Sequence, residues 1–300
     1  MSTQKTTRRK FISHVGIGTA AIVAAPTLSR AESVFNTDTT YTVGDVIDMF
    51  IKTVPGAPFA NTVDTLKAGS RDMAITGIVT AMFPTVDVIR KTADLGANFI
   101  VCHEPTFYNH TDDTDWLAGD DVYQYKADLL KQHSIAIWRN HDYIHSIVPD
   151  GVMSGVVAKL GWKDYQKGSN TFLFTPALTL KHLIDHTKQK LDIEKVRYIG
   201  DLNQPCSNVL FMEGAAGGRP QIKAIGAVKP DVVFCGEISE WETAEYIRDA
   251  RAEGKNISLV VLGHIASEEA GSIFMADWLK ERLTGVKVTH VNCGNSLSFA

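Results

Sequence analysis

Three apolar runs in this chain end on pairs of side chains that bind metals. Asn98-Phe99-Ile100-Val101-Cys102 leads into His103 and Glu104, and Ser134-Ile135-Ala136-Ile137-Trp138 leads into His141 and His145. Ser258-Leu259-Val260-Val261-Leu262-Gly263 leads into His264 and Glu268. His103, Glu104, His145, His264 and Glu268 together offer three imidazoles and two carboxylates. That mixture suits Fe, Mn, Zn or Co. Five protein ligands exceed what one open catalytic ion requires, whereas two divalent ions sharing a bridging group would use them all. A second pair of histidines at the same four-residue spacing, His182 and His186, sits among Lys181, Asp185 and Lys188 and reads as solvated helix surface.

The elements that must hold these residues follow from the apolar pattern. Short runs rich in β-branched residues, bounded by polar ends, indicate buried parallel strands, and α/β sheets place ligands beyond the carboxyl ends of such strands. Val43 to Ile51 has helical spacing, Ala74 to Thr80 reads as a strand, and Pro84 to Leu95 as a helix with Pro84 in its first turn. Phe99 to Cys102 is the next strand, and residues 105–121 form an acidic loop. Val122 to Gln132 and Pro149 to Leu160 follow as helices on either side of the Ile135 to Trp138 strand.

The second half repeats the scheme. Leu178 to Lys190 and Trp241 to Glu253 are expected helices, and Val196 to Ile199, Val209 to Met212 and Leu259 to Leu262 are expected strands. Asp231-Val232-Val233-Phe234-Cys235-Gly236-Glu237 matches Asn98 to Glu104 nearly residue for residue. The expected fold is therefore α/β, in two related halves with mainly parallel sheets, at residues 32–165 and 166–300.

Residues 1–31 form a separate unit. Lys5, Arg8, Arg9 and Lys10 precede an apolar stretch from Val15 to Ala25, and Ser29-Arg30-Ala31 has the small residues of a cleavage site. This is the layout of a bacterial export signal, and Thr7-Arg8-Arg9-Lys10-Phe11-Ile12 resembles the twin-arginine type. The mature protein is expected to begin near Glu32 and to be periplasmic. Cleavage removes five basic and no acidic residues from totals of 30 and 34, leaving a net charge of −9. That sign argues against nucleic-acid phosphates as partners. No later apolar run is long enough for a membrane span. Cys102, Cys206, Cys235 and Cys293 include no CxxC pair and are expected as free thiols.

From about Tyr41 to its end the chain resembles the NGG-interacting-factor-three-like family, whose members are often called GTP cyclohydrolase I type 2 homologues. Three signatures carry the resemblance. His103-Glu104-Pro105 stands where the family has His-His-Pro, and His141 to His145 stands where it has His-Thr-Asn-x-Asp. Gly263-His264-Ile265-Ala266-Ser267-Glu268 fits Gly-His-x-x-x-Glu. A weaker segment, Gly-Glu followed by His, corresponds to Gly236-Glu237 through Trp241-Glu242, without the His. Glu104 replaces a family His and His145 a family Asp, so the two departures exchange His and carboxylate and preserve the totals.

The resemblance implies a hexamer built as a trimer of dimers, with a dinuclear centre between the two halves. It gives His141 a supporting or proton-transferring place beside the metals, and lets Glu237 and Glu242 line the same pocket. Five ligands at three strand ends make metal-dependent hydrolysis of a small molecule the leading expectation. A non-catalytic protein that stores, delivers or senses metal is the alternative, and a GTP cyclohydrolase-like enzyme a third.

Overall fold

Strands buried on both faces must be covered by helices on both sides, and the chain supplies them in alternation. The computed structural model describes residues 40–300, and the expected export signal at residues 1–31 lies outside the described residues. The first half runs α1 (Val43–Ile51), β1 (Leu66–Ala68), β2 (Ile78–Ala81), α2 (Val86–Asp94), β3 (Phe99–Cys102), α3 (Asp121–Gln132), β4 (Ala136–Arg139), α4 (Asp142–Ser146) and α5 (Gly151–Leu160). The second runs β5 (Thr171–Thr179), α6 (Leu180–Leu191), β6 (Arg197–Ile199), β7 (Pro205–Met212), α7 (Gly218–Val228), β8 (Val232–Cys235), α8 (Glu245–Ala252), β9 (Ser258–Val261), α9 (His264–Lys280) and β10 (Val288–His290).

Two five-stranded sheets result, ordered β1-β4-β3-β2-β10 and β5-β7-β8-β9-β6. In the first, β10, β2, β3 and β4 are parallel, and β1 closes the edge antiparallel to β4. In the second, β7, β8 and β9 are parallel, with β5 antiparallel beside β7 and β6 antiparallel beside β9. The internal repeat is real: β3 and β8 are the central strands, and β4 and β9 each lie between the central strand and an antiparallel edge. The last strand returns to the first sheet, so the two halves are not consecutive blocks of chain.

Both cores draw on the same helix pair. α5 gives Val152 to the core of the first sheet and Met153 and Val156 to that of the second. α9 gives Met275 and Ala276 to the first and Ala270 to the second. Their close approach requires Gly155, where a Cβ would collide with the Ala270 carbonyl group. This shared pair ties the sheets together and fixes the carboxyl ends of their strands relative to one another.

Several local expectations need correction. Helix α2 begins two residues after Pro84, because the Thr85 hydroxyl accepts from Val88 N at 3.2 Å and acts as the cap. The segment from Trp241 is not one helix: a single π turn (Glu240–Ala244) precedes α8. The strand expected from Ala74 starts only at Ile78, since Ala74 is taken up in an isolated bridge to Thr42. His186 is not solvated surface. Its Nε2 meets the Leu160 carbonyl oxygen at 2.8 Å and its ring stacks on Trp162, whereas His182 is exposed. All four cysteines are unpaired, and Cys102, Cys206 and Cys235 are buried.

Candidate metal centre

The two sheets bring five strand ends together. His103 and Glu104 follow β3, His141 is the residue before α4 with His145 in its last turn, and His264 opens α9 beyond β9 with Glu268 one turn on. Glu213 follows β7 and Glu237 follows β8. His103, Glu104 and Glu268 are buried.

His103 is the pivot. Its Nδ1 lies 3.3 Å from the Asn140 carbonyl oxygen, which can only accept, so this nitrogen carries the proton. Nε2 then presents its lone pair inward, 3.6 Å from Glu268 Oε2 and 3.9 Å from Glu104 Oε1. It is buried and has no hydrogen-bond partner among the described residues. An imidazole fixed through one nitrogen, with the other aimed at carboxylates, is the usual arrangement of a metal-binding histidine.

His264 faces the same carboxylates. Its Nε2 is 3.0 Å from Glu268 Oε2 and 3.2 Å from Glu104 Oε1, and its Nδ1 is 2.9 Å from Glu237 Oε1. Burial opposes the charged form of His264, but the bonds to Glu104 and Glu268 outweigh it and raise its pKa to about 10. Burial likewise opposes ionisation of Glu268 and Glu104, yet the imidazoles around them hold both below the usual carboxylate range. A proton on His264 thus occupies the place a cation would take.

On the other side of His103, three imidazoles gather. The rings of His103 and His141 stack at 4.7 Å, and His145 stands edge-on to both at 5.1 Å. Donor atoms of His103, His141 and His145 lie within 4.8 Å of one another, and so do those of His103, Glu104 and Glu268. These clusters could hold metal. Burial, followed by the neighbouring His103, lowers the His141 pKa to about 4, so that ring is neutral. For His145 burial acts the same way, but Asp150 at 2.8 Å, with Glu268 and Glu213 beyond it, raises the value to about 9.

The two exchanged residues each have dedicated support. Glu104 Oε2 is 3.3 Å from an amino group of Arg139, which is fully buried, also approaches Asp112, and donates to the His103 and His110 carbonyl oxygens. His145 Nδ1 is bonded to Asp150, whose other oxygen accepts from Val152 N and Met153 N and so caps α5. Glu268 packs against Gly214, where φ is +64° and a Cβ would run into its carboxylate.

All six predicted residues, the five ligands and His141, therefore meet at one place. Glu237 joins them through His264, whereas Glu242 packs on Gly218. Glu213, Asp150, Arg139 and Asp64 were not anticipated. Glu213 forms a further group with His145 and Asp150, and burial raises its pKa to about 8. It ends an apolar run as His103 does, so the strand-end rule alone would have found it. Asp64 accepts from the backbone nitrogens of His141, Asp142 and Tyr143 and holds the start of α4. No periodic signal marks it. A pocket of about 720 Å³ opens beside the centre, with Glu104, Glu237 and His264 in its wall. Among the described residues no helix is long and apolar enough to cross a membrane.

Proteins similar to this chain are found by sequence and by fold. Two proteins named GTP cyclohydrolase 1 type 2 homolog are similar. The one from Clostridium perfringens is 26% identical over 228 residues, covering 73% of this chain and 83% of its own length. The one from Clostridium acetobutylicum is 24% identical over 230 residues, covering 73% and 81%. A hypothetical protein of Staphylococcus aureus superposes with a TM-score of 0.70 at 18% identity, covering 87% of this chain and 99% of its own. A Bacillus cereus protein related to NIF3 does so at 0.66 and 15%, with the same coverage. Reduced HcgD from Methanocaldococcus jannaschii does so at 0.58 and 16%, covering 84% and 98%. At these identities the superpositions speak to the fold. The model of the Duf34/NIF3 (NGG1p interacting factor 3) family matches residues 42–295, nearly all of the described chain, and the protein belongs to that family.

Proposed function

We propose that the protein binds two divalent metal ions and acts as a metal-dependent hydrolase on a small molecule, after export to the periplasm. The observation that carries this is the buried, unpartnered Nε2 of His103 beside two carboxylates held in their charged form. His103, Glu104, His145, His264 and Glu268 would hold the ions, drawn from Fe, Mn, Zn or Co. Ions bound there would supply Lewis acidity toward water and substrate.

The chain's own residues divide the remaining work. Arg139 holds the Glu104 carboxylate through its Oε2, Asp150 fixes the ring of His145, and Asn140 fixes that of His103. His141, neutral and with Nε2 3.9 Å from Glu104 Oε1, passes the proton. The adjoining pocket favours catalysis over storage, because a storage site needs no cavity for an organic molecule. A hexamer is the assembly expected from the family resemblance, and folding before twin-arginine export would let the chain acquire metal in the cytoplasm.

Elemental analysis of protein purified from its own host tests the centre, with Glu104→Ala and His264→Ala in parallel. Two metal equivalents per chain are expected in the wild type and a marked loss in both variants. A wild-type stoichiometry near zero refutes the centre. Absence of turnover by loaded protein on phosphoester, cyclic-amide and peptide panels refutes the hydrolase while leaving a metal-binding protein.

A further inference from the structure

Helix α3 places a lysine where its pattern calls for an apolar residue. Lys126 shares a buried face with Leu129 and Leu130 and is only 5% exposed. Buried ammonium groups are normally matched by a carboxylate, because desolvation of an unmatched charge is costly. Among the described residues no carboxylate lies within 4 Å of Lys126, and Asp112 is already engaged by Lys67 at 3.2 Å. Its Nζ donates to one neutral acceptor, the Thr106 carbonyl oxygen at 2.6 Å, and faces the Tyr108 ring at 5.4 Å. Burial lowers its pKa to about 8, which leaves the group mainly charged near neutrality.

A second orphan lies beside it. The hydroxyl of Thr106, also buried, has no hydrogen-bond partner among the described residues. Lys126 and Thr106 both line the 720 Å³ pocket whose wall includes Glu104 and His264. A buried ammonium with no anionic partner and a buried hydroxyl with no hydrogen-bond partner, in the wall of one cavity, describe a subsite that lacks only an anion. Phe83, Pro105 and Tyr108 line the same cavity and give it an apolar, partly aromatic surface.

We infer that the Lys126–Thr106 corner of this pocket binds the anionic group, carboxylate or phosphate-like, of a small organic ligand whose apolar body lies toward the metal centre. Thr106 is two residues from Glu104, so their Cα atoms are no more than about 7 Å apart. That closeness of the two walls suits a compact ligand. The inference deepens the proposed function by naming the ligand class, and it rests on that proposal only for what happens at the other end of the molecule.

Binding of benzylphosphonate, phenylacetate and neutral benzyl alcohol is measured calorimetrically on the full-length protein, metal-loaded and after chelation. Metal content and Tm are read on the same samples. The wild type is expected to bind one or both anions and not the alcohol. Preference for the phosphonate points to a phosphate-bearing ligand, and preference for phenylacetate to a carboxylate. Lys126→Met is expected to weaken anion binding at least about tenfold in both metal states, the scale of one charge-assisted contact. Its unliganded Tm should equal or exceed that of the wild type, since an unmatched buried charge has been removed.

A wild type that binds neither anion overturns the inference. So does a Lys126→Met protein with wild-type affinity, or one with a Tm several degrees lower, which marks a structural lysine. If Lys126→Met does not fold, Thr106→Val carries the test, and unchanged affinity in that variant overturns the inference. A wild type that takes up no metal, yet whose anion binding depends on Lys126, sustains the subsite while refuting the metal centre. A loaded protein whose binding ignores Lys126 does the reverse.

Discussion

Arg139→Met is the substitution whose consequences can be worked out furthest. Arg139 is fully buried at the end of β4 and reaches Glu104 Oε2 at 3.3 Å and Asp112 Oδ2 at 3.8 Å, while its Nε donates to the His103 carbonyl oxygen at 3.1 Å. Methionine fills a similar volume, so little of the loss comes from packing. What remains is a pair of buried carboxylates without this cation, at a cost of about 3–5 kcal/mol. Carbonyl groups left without donors add about 1 kcal/mol or more. In a body of this size each kcal/mol moves Tm by about 2–4 °C, so chelator-treated Arg139→Met should melt roughly 10–20 °C below the wild type. Differential scanning calorimetry of the full-length protein reads this directly. In a Glu104→Gln background one carboxylate is already neutral, and the same substitution should cost about 1–3 kcal/mol less. Metal loading should narrow the wild-type difference too, because bound cations give Glu104 another partner. A fall of less than about 4 °C, or strict additivity with Glu104→Gln, would refute Arg139 as the counter-charge that orients Glu104.

Two further outcomes follow from the centre. In metal-free protein the charged form of His264 is stabilised, its pKa rising from 6.5 to about 10. That contribution is complete below pH 6.5 and disappears as pH climbs toward 10, so the Tm of chelated protein should fall across this window, while metal affinity rises with pH as protons leave the imidazoles. A flat Tm between pH 7 and 10 contradicts the clamp on His264. Gly214→Ala places a Cβ against the Glu268 carboxylate and should lower metal stoichiometry, whereas Gly161→Ala, with φ +70° and open space around it, should cost about 1 kcal/mol and leave metal content intact. Equal metal content in the two variants argues against Gly214 as the seat of Glu268.

The parts of this molecule legible from its residues are those with strong local patterns. β3, β4, β8 and β9 are fully buried, so their apolar runs are unbroken and their polar ends stand out. Once those strand ends were identified, His103, Glu104, His141, His145, His264 and Glu268 could be read as one group. Among the edge strands β6 was legible, as Val196 to Ile199, but β1 and β10 were not. β1 is three residues long and partly exposed, and β10 is a short run whose place beside β2 depends on a partner some 200 residues away. Supporting residues escaped for a related reason. Arg139 and Lys126 look like ordinary charged residues until burial is known, and Asp64 acts on backbone nitrogens nearly eighty residues further along. Their roles are properties of the assembled packing.

The return of β10 to the first sheet also has a consequence in time. During synthesis the strands β2, β3 and β4 emerge early, but the sheet they form keeps an open edge beside β2 until Val288–His290 have been made. Helix α9, which carries His264 and Glu268 and contributes to both cores, likewise belongs to the last stretch of chain. Domains generally fold as units as the chain emerges, N-terminal part first. Here neither sheet can finish alone, so ordering of the candidate ligands becomes one of the final events of folding, and a chain cut short before α9 lacks two of the five.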